Sequence, residues 1–124
     1  MTATPPRQPR GQAAEDLACN YLCGQGLQLL ERNYLCKSGE IDLIMQDRDC
    51  LVFVEVRYRQ HPRYGSALES VTRQKQARLC RTAEHYLQCH TNQRTRPCRF
   101  DVLGISPGTG PATEIQWIKD AFQA

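Results

Sequence analysis

The sequence contains no apolar run that approaches the roughly 18 residues a helix needs to cross a bilayer. Its first ten residues hold prolines and arginines but lack the apolar stretch of a secretory signal. We therefore expect a soluble, cytoplasmic protein with no membrane partner, in which residues 1–10 form a disordered basic arm. Residues 11–124 suffice for one domain with a single core, and no repeat or linker divides them.

The sequence also lacks any CxxC pair, although it contains seven cysteines. An odd number of cysteines without a secretory signal favours reduced thiols in a cytosolic setting. Such cysteines are most often small buried hydrophobes. A structural zinc site where His85, Cys89 and His90 crowd together is the alternative.

Net charge is small, at +3, but it is unevenly distributed. Residues 57–99 contain ten basic side chains and two acidic ones, whereas the segments on either side are acidic. Most of the positive charge is arginine, whose planar guanidinium matches a phosphate with two parallel hydrogen bonds. This pattern suits nucleic acid lying beside an acidic pocket. The alternative is a solvated helix face. The arginines that we expect to bind nucleic acid are Arg57, Arg59, Arg73, Arg78 and Arg81.

Hydrophobic periodicity predicts seven elements of secondary structure. Helical spacing covers residues 11–26 and 66–90, and strand patterns cover 27–35, 40–46, 51–59, 98–105 and 113–119. Residues 37–39 and 47–49 suit the turns of antiparallel hairpins, and 61–65 is a predicted loop. The order αβββαββ predicts an α/β fold in which two main helices flank a mixed β-sheet of about five strands.

Two carboxylates stand inside predicted apolar strands. Asp42 lies within Ile41-Asp42-Leu43-Ile44, and Glu55 lies within Phe53-Val54-Glu55-Val56. Burying an ionised carboxylate costs several kcal/mol unless a partner or a metal compensates it. These two positions therefore predict a functional site.

Strand geometry predicts where these side chains point. Residues two apart share a face, so Asp42 should point with Ile44, and Glu55 with Phe53 and Arg57. The opposite faces are wholly apolar and comprise Ile41, Leu43, Met45, Val52, Val54 and Val56. Pairing through the short turn would bring Asp42 and Glu55 close enough to share one cation. Oxygen ligands of this kind suit Mg²⁺ or Mn²⁺.

At these residues the sequence resembles a known nuclease motif. The segments Gly39-Glu40-Ile41-Asp42 and Val54-Glu55-Val56-Arg57 are similar to the PD-(D/E)XK motif of the restriction-endonuclease-like superfamily. More narrowly, residues 11–122 resemble the YraN family of small bacterial proteins, through the segments GEIDLI and FVEVRYR and the closing residues 117–122. The resemblance implies a restriction-endonuclease-like core and hydrolysis of DNA, with no organic cofactor.

The resemblance also implies roles for individual residues. In that superfamily an Asp and a Glu hold the metal, and Asp42 and Glu55 match them. In the Holliday-junction-resolvase-like branch a glutamate from the first helix joins the metal site, and Glu15 stands at the matching place. The backbone carbonyl of Val56 is a candidate for a further oxygen ligand. Resolvase-like relatives are commonly dimers, so a homodimer is an open alternative to a monomer.

Position 57 departs from the motif, which has a lysine there. Arginine stays protonated at neutral pH and cannot act as a general base, although it can clamp a phosphate and stabilise developing charge. Lys75, on the inner stripe of the second predicted helix, is the candidate substitute, and Gln74 is a candidate for positioning water. The alternative for Lys75 is that its stem packs and its amine reaches solvent.

Three functions remain open from the sequence. The first is a metal-dependent nuclease acting on DNA, branched or single-stranded, with Asp42, Glu55, Arg57 and Lys75 as catalytic residues. The second is a nucleic-acid-binding module on a nuclease scaffold, since a fold does not confer activity. The third is a protein-interaction domain whose acidic residues pair internally with Arg57 and Arg59.

Overall fold

The computed structural model describes residues 9–60, 66–107 and 113–124. Helix α1 spans Pro9–Gly24 and is followed by strands β1 (Gln28–Cys36), β2 (Gly39–Asp47) and β3 (Cys50–Tyr58). A 3₁₀ turn at Leu68–Ser70 precedes helix α2 (Arg73–Cys89), and another at Thr91–Gln93 precedes strands β4 (Cys98–Pro107) and β5 (Thr113–Phe122). The order of helices and strands is the predicted one.

The five strands form one sheet in the order β1-β2-β3-β4-β5. Neighbouring strands are antiparallel except β3 and β4, which are parallel. A parallel pair needs a crossover connection, and α2 lies in the segment that joins β3 to β4. The predicted α/β fold with a mixed sheet and two main helices is confirmed.

The helices cover opposite faces of the sheet. One core cluster joins α1 to the sheet through Leu22, Leu43, Val54 and Leu103. The other joins α2 to it through Ile44, Phe53, Leu79 and Val102. The central strands are therefore buried on both sides, which is why they consist almost entirely of apolar residues.

The predicted alternation of β2 fails at one point. Leu43 packs on the α1 side, but Ile41, two residues earlier, packs on the α2 side. The prediction that they share a face is therefore wrong. The neighbouring strand β1 contains Asn33 in the left-handed conformation, with φ of 53°, which breaks the regular pleat there. The side chains of β2 change faces across Asp42, so Asp42 lies at an irregular position.

Both helices begin at different residues from those predicted. The second was predicted over 66–90, but α2 begins at Arg73 because Thr72 caps it, accepting a hydrogen bond from the Lys75 amide at 3.1 Å. Helix α1 begins at Pro9, two residues inside the segment predicted as an arm, and residues 1–8 lie outside the described range, as does the predicted loop 61–65. Neither α1 nor α2 is long and apolar enough to cross a membrane.

Candidate metal and phosphate site

Asp42 and Glu55 lie where β2 and β3 separate. The paired register of the two strands ends at Leu43 opposite Val54, so the two carboxylates follow directly beyond it. Asp42 Oδ2 accepts a hydrogen bond from the Val56 amide at 2.8 Å, and this contact replaces a bond between the two backbones. Glu55 is only 5% exposed. The fold therefore holds two neighbouring carboxyl groups in a largely dehydrated place.

The electrostatics of this pair favour a shared proton when no cation is present. Burial, and then the charge of Glu55, raise the pKa of Asp42 to about 8, although the Val56 amide opposes the shift. Burial also raises the pKa of Glu55, against the lowering effects of Lys75, Arg57 and a hydrogen bond with Asp42. Two carboxylates this close repel each other unless a proton or a cation lies between them.

Two positively charged side chains flank Glu55. Lys75 Nζ lies 3.6 Å from Glu55 Oε2, and an Arg57 Nη lies 3.5 Å from the same oxygen. Arg57 is also held from behind, because its Nε donates to Ser70 Oγ at 3.1 Å and its second Nη donates to the Ser70 carbonyl at 3.2 Å. Lys75 thus reaches the sheet. Sequence reasoning missed Ser70, which it placed inside a helix.

Glu15 is buried beside the pair but is already engaged. Its Oε1 accepts a hydrogen bond from Asn33 Nδ2 at 3.0 Å and lies 3.6 Å from an Nη of Arg32. Its charge is close enough to contribute to the raised pKa of Asp42. Asn33 and Arg32 were not among the predicted site residues. The residue type of Asn33 could have indicated an irregular position in β1, because asparagine tolerates the left-handed conformation better than most residues.

Across residues 9–60, 66–107 and 113–124, no three His, Cys, Asp or Glu side chains form a group that could hold a metal. The zinc alternative near His85 and Cys89 is therefore not supported. His85 Nδ1 instead contacts the Tyr34 hydroxyl at 2.5 Å, and His90 Nδ1 lies 2.8 Å from the Tyr86 carbonyl. All seven cysteines are free thiols.

The chemistry of the carboxyl pair nevertheless fits a hard divalent cation. Asp42 and Glu55 supply oxygen donors from neighbouring strands, and a cation would relieve the repulsion between them. They are the residues that would hold Mg²⁺ or Mn²⁺. Glu15 is a less direct ligand, because it would have to leave Asn33 and Arg32.

The predicted nucleic-acid-binding arginines occupy more than one surface. Arg59 continues β3, since its amide donates to the Ile105 carbonyl at 2.8 Å, and this places its side chain on the same face as Arg57. Arg73, Arg78 and Arg81 are exposed on α2. Arg73 lines a groove beside the end of β5, whereas Arg81 lies one turn before His85, which contacts β1. The three helix arginines therefore do not form a single stripe.

The raised pKa of Asp42 predicts how metal-free protein responds to pH. Between its ordinary pKa of 3.8 and about 8, the folded protein keeps a proton that the unfolded chain has released. The free energy of unfolding should therefore fall as pH rises through this window, with a slope of up to about 1.4 kcal/mol per pH unit for one proton. Asp42→Asn should flatten this dependence. Urea denaturation in EDTA from pH 5 to 8 measures it, and parallel curves for both proteins would contradict the prediction.

Comparison with known proteins gives one consistent result. The uncharacterised protein family UPF0102 matches residues 14–105. A UPF0102 protein of Nitrosococcus oceani is 54% identical over 114 residues, which cover 92% of this chain and 91% of that protein. Another, of Alcanivorax borkumensis, is 52% identical over 112 residues, 90% of either chain. A third, of Stutzerimonas stutzeri, is 50% identical over 117 residues, 94% of this chain and 97% of that protein. The chain belongs to the UPF0102 family, also called the YraN family.

Proposed function

We propose that this protein hydrolyses phosphodiester bonds of DNA with Mg²⁺ or Mn²⁺ as cofactor. The observation that carries the proposal is the pair formed by Asp42 and Glu55, two neighbouring carboxyl groups with raised pKa values, of which Glu55 is buried and Asp42 half-buried. A site that needed only hydrogen bonding would not require two carboxyl groups this close together, whereas a divalent cation is bound by such oxygen donors. Lys75 and Arg57 stand beside the pair, where they can meet a phosphate.

The reaction is a displacement at phosphorus. A water molecule adds to phosphorus, the bond from phosphorus to the leaving oxygen breaks, and the leaving oxygen takes up the proton that the water loses. A cation held by Asp42 and Glu55 would lower the pKa of a water molecule and stabilise the negative charge that grows on the phosphate. The remaining stabilisation of the transition state would come from the side chains around the cation.

Arg57 and Lys75 act as donors in this scheme. Arginine cannot release its proton at neutral pH, and a lysine ion-paired with Glu55 is an ammonium group with no acceptor site. Neither is therefore the general base in this arrangement. Both can donate hydrogen bonds to phosphate oxygens, and Ser70 limits the movement of the Arg57 guanidinium, which lowers the entropy lost when it binds.

A second candidate function is binding of nucleic acid without hydrolysis. One observation favours it: the Arg57 guanidinium is already engaged by Glu55 and Ser70, at the position where the nuclease motif has a lysine. In that case the basic side chains would supply affinity for nucleic acid, and the carboxyl pair would not catalyse hydrolysis.

Metal binding and cleavage together test the proposal. End-labelled linear duplex, single-stranded and four-way DNA are incubated with the native protein in Mn²⁺ or in EDTA, and Mn²⁺ affinity is measured by calorimetry. We expect cleavage of at least one substrate that depends on Mn²⁺. Binding of both Mn²⁺ and DNA with no cleavage would favour the second candidate. Failure to bind Mn²⁺ even with DNA present would overturn the hydrolase.

The salt dependence of DNA binding tests the arginines of α2. Arg78→Gln and Arg81→Gln should each weaken binding and lower the slope of log affinity against log salt by about 0.7 to 0.9 for each lost phosphate contact. Arg48→Gln is the matched control, because Arg48 is exposed in the turn between β2 and β3, at the far end of these strands. Unchanged slopes for both helix variants would mean that this helix face is only solvated.

A further inference from the structure

A cavity of about 220 Å³ lies on the sheet beyond the carboxyl pair. It is lined by polar side chains and by Gly104 and two isoleucines: Arg59, Gly104, Ile105, Ser106, Glu114, Ile115 and Gln116. Gly104 is paired with Arg57 on one side and with Gln116 on the other, and Ser106 is paired with Glu114. The cavity therefore lies at the carboxyl-terminal ends of the parallel strands β3 and β4.

A row of side chains along β3 connects the carboxyl pair to this cavity. Glu55, Arg57 and Arg59 are spaced two apart and share one face of the strand. Arg59 lies about 13 Å along the strand from Glu55, at about 3.3 Å per residue. The two arginines are separated by about half of this distance, which is comparable to the spacing of successive phosphates in an extended single strand. A strand with its scissile phosphate at Glu55 would therefore pass this cavity.

The wall of the cavity formed by Gly104 and Gln116 is fixed by packing. A Cβ on Gly104 would lie 2.5 Å from the Cβ of Ala67, so only glycine lets the segment before α2 close onto β4. The Ala67 amide donates to Gln116 Oε1 at 2.8 Å. This bond occupies the acceptor of the Gln116 side chain and leaves its Nε2 as a donor. This wall is thus preorganised before a ligand binds.

The lining chemistry fits a nucleobase better than a phosphate. Glu114 would repel a phosphate, but it can accept hydrogen bonds from the amino group of a base. Ser106 can donate and accept, and Gln116 Nε2 donates. The volume is below that of sites for drug-sized ligands, as expected for a single ring system. We infer that this cavity receives one unpaired nucleobase about two nucleotides along the chain from the scissile phosphate, so that the substrate is single-stranded or locally unpaired DNA.

This inference rests on the proposed function, but it can be tested without cleavage. Fluorescein-labelled oligodeoxycytidylate, oligothymidylate and a blunt duplex of the same length are titrated with protein in EDTA, and anisotropy reports affinity. Single strands should bind more tightly than the duplex. Cytosine, which carries an amino donor that thymine lacks, should be preferred by about fivefold, the value of one hydrogen bond. Equal affinity for single strand and duplex would overturn the inference.

Two variants separate base recognition from general electrostatics. Glu114→Leu and Glu84→Leu each remove one exposed negative charge, but only Glu114 lines the cavity. If charge alone matters, both should raise affinity equally for every oligonucleotide. If the cavity holds a base, Glu114→Leu should abolish the preference for cytosine and Glu84→Leu should keep it. If the Glu114→Leu protein kept the preference for cytosine, the proposal of a base site would be overturned.

A direct measurement guards against misfolding of the variants. In native ¹⁵N-labelled protein without metal, deoxycytidine monophosphate should shift the Gly104 amide and the Gln116 side-chain amide resonances, and shifts confined to α2 would contradict the proposal. A cytosine preference without any Mn²⁺-dependent cleavage would remove the hydrolase and leave the base site in place. Cleavage of duplex and single strand at equal rates would remove the base site and leave the hydrolase in place.

Discussion

Asp42→Asn and Glu55→Gln should each reduce Mn²⁺-dependent cleavage by about a thousandfold or more. Each substitution keeps the shape of the side chain but removes the negative charge that a divalent cation requires from its ligand. The proposed cation would supply several kcal/mol of transition-state stabilisation, and each 1.36 kcal/mol corresponds to a factor of ten in rate. Single-turnover rates on the best substrate of the DNA panel would measure the loss.

Binding should respond in the opposite way to cleavage in these variants. The lost charge lies beside the proposed path of the phosphates, so affinity for DNA in EDTA should stay the same or rise. Asp49→Asn is the matched control, since Asp49 is exposed in the turn between β2 and β3, away from the separating ends of the strands. A contaminating nuclease would cleave equally in all preparations. Native rates in both site variants would remove Asp42 and Glu55 from the reaction.

The proximity of Asp42 and Glu55 could be predicted from the sequence because it depends on two local rules. Side chains alternate along a strand, and a short polar turn joins consecutive antiparallel strands. The two residues lie about equally far from the turn between β2 and β3, so any regular hairpin brings them together. The apolar residues around them also keep both carboxyl groups away from bulk solvent, with Glu55 buried and Asp42 half-buried.

The details of the site could not be predicted, because they depend on departures from regular structure. The side chains of β2 change faces across Asp42, opposite the left-handed Asn33, and no periodic pattern encodes such a change. Ser70 reaches Arg57 because the chain before α2 forms a 3₁₀ turn. Helical periodicity continued through this segment, so the pattern gave no indication of the break. Tertiary packing overrides local preference at these points.

One carboxylate was overlooked although the same rule would have identified it. Asp101 stands between Phe100 and Val102 in an apolar strand, as Asp42 does between Ile41 and Leu43, and it is fully buried. Its compensation is a network of hydrogen-bond donors and not a second carboxylate. An acidic residue in a core strand therefore indicates that a compensating group exists, but only the structure shows whether that group is a donor network or a candidate metal site.

Asp101→Asn should be the most destabilising of the isosteric substitutions considered, at about 3–5 kcal/mol. Asp101 accepts hydrogen bonds from Arg99 Nε at 3.0 Å, from Trp117 Nε1 at 2.9 Å and from the Asp120 amide at 2.9 Å. The register of β4 and β5 shifts at this point, and Asp120 adopts φ of 51°, so the carboxylate satisfies an amide that the bulge leaves unpaired. Asparagine would replace one accepting oxygen with an NH₂ group, so that a donor would face these donors.

The loss of charge would also leave Arg99 poorly compensated. Burial acts to lower the pKa of Arg99, but hydrogen bonding and the charge of Asp101 raise it above its ordinary value, and Asp47 alone would remain as an acidic partner at 3.0 Å. Breaking a buried pair costs more than the pair contributes, because one charge stays desolvated. Urea denaturation should show a lower midpoint with an unchanged m-value, and Tm should fall by about 10 °C or more. Asp120→Asn, which keeps the backbone amide and tolerates a positive φ, should stay near native stability. A loss below about 1 kcal/mol in Asp101→Asn would show that the network is not coupled to folding.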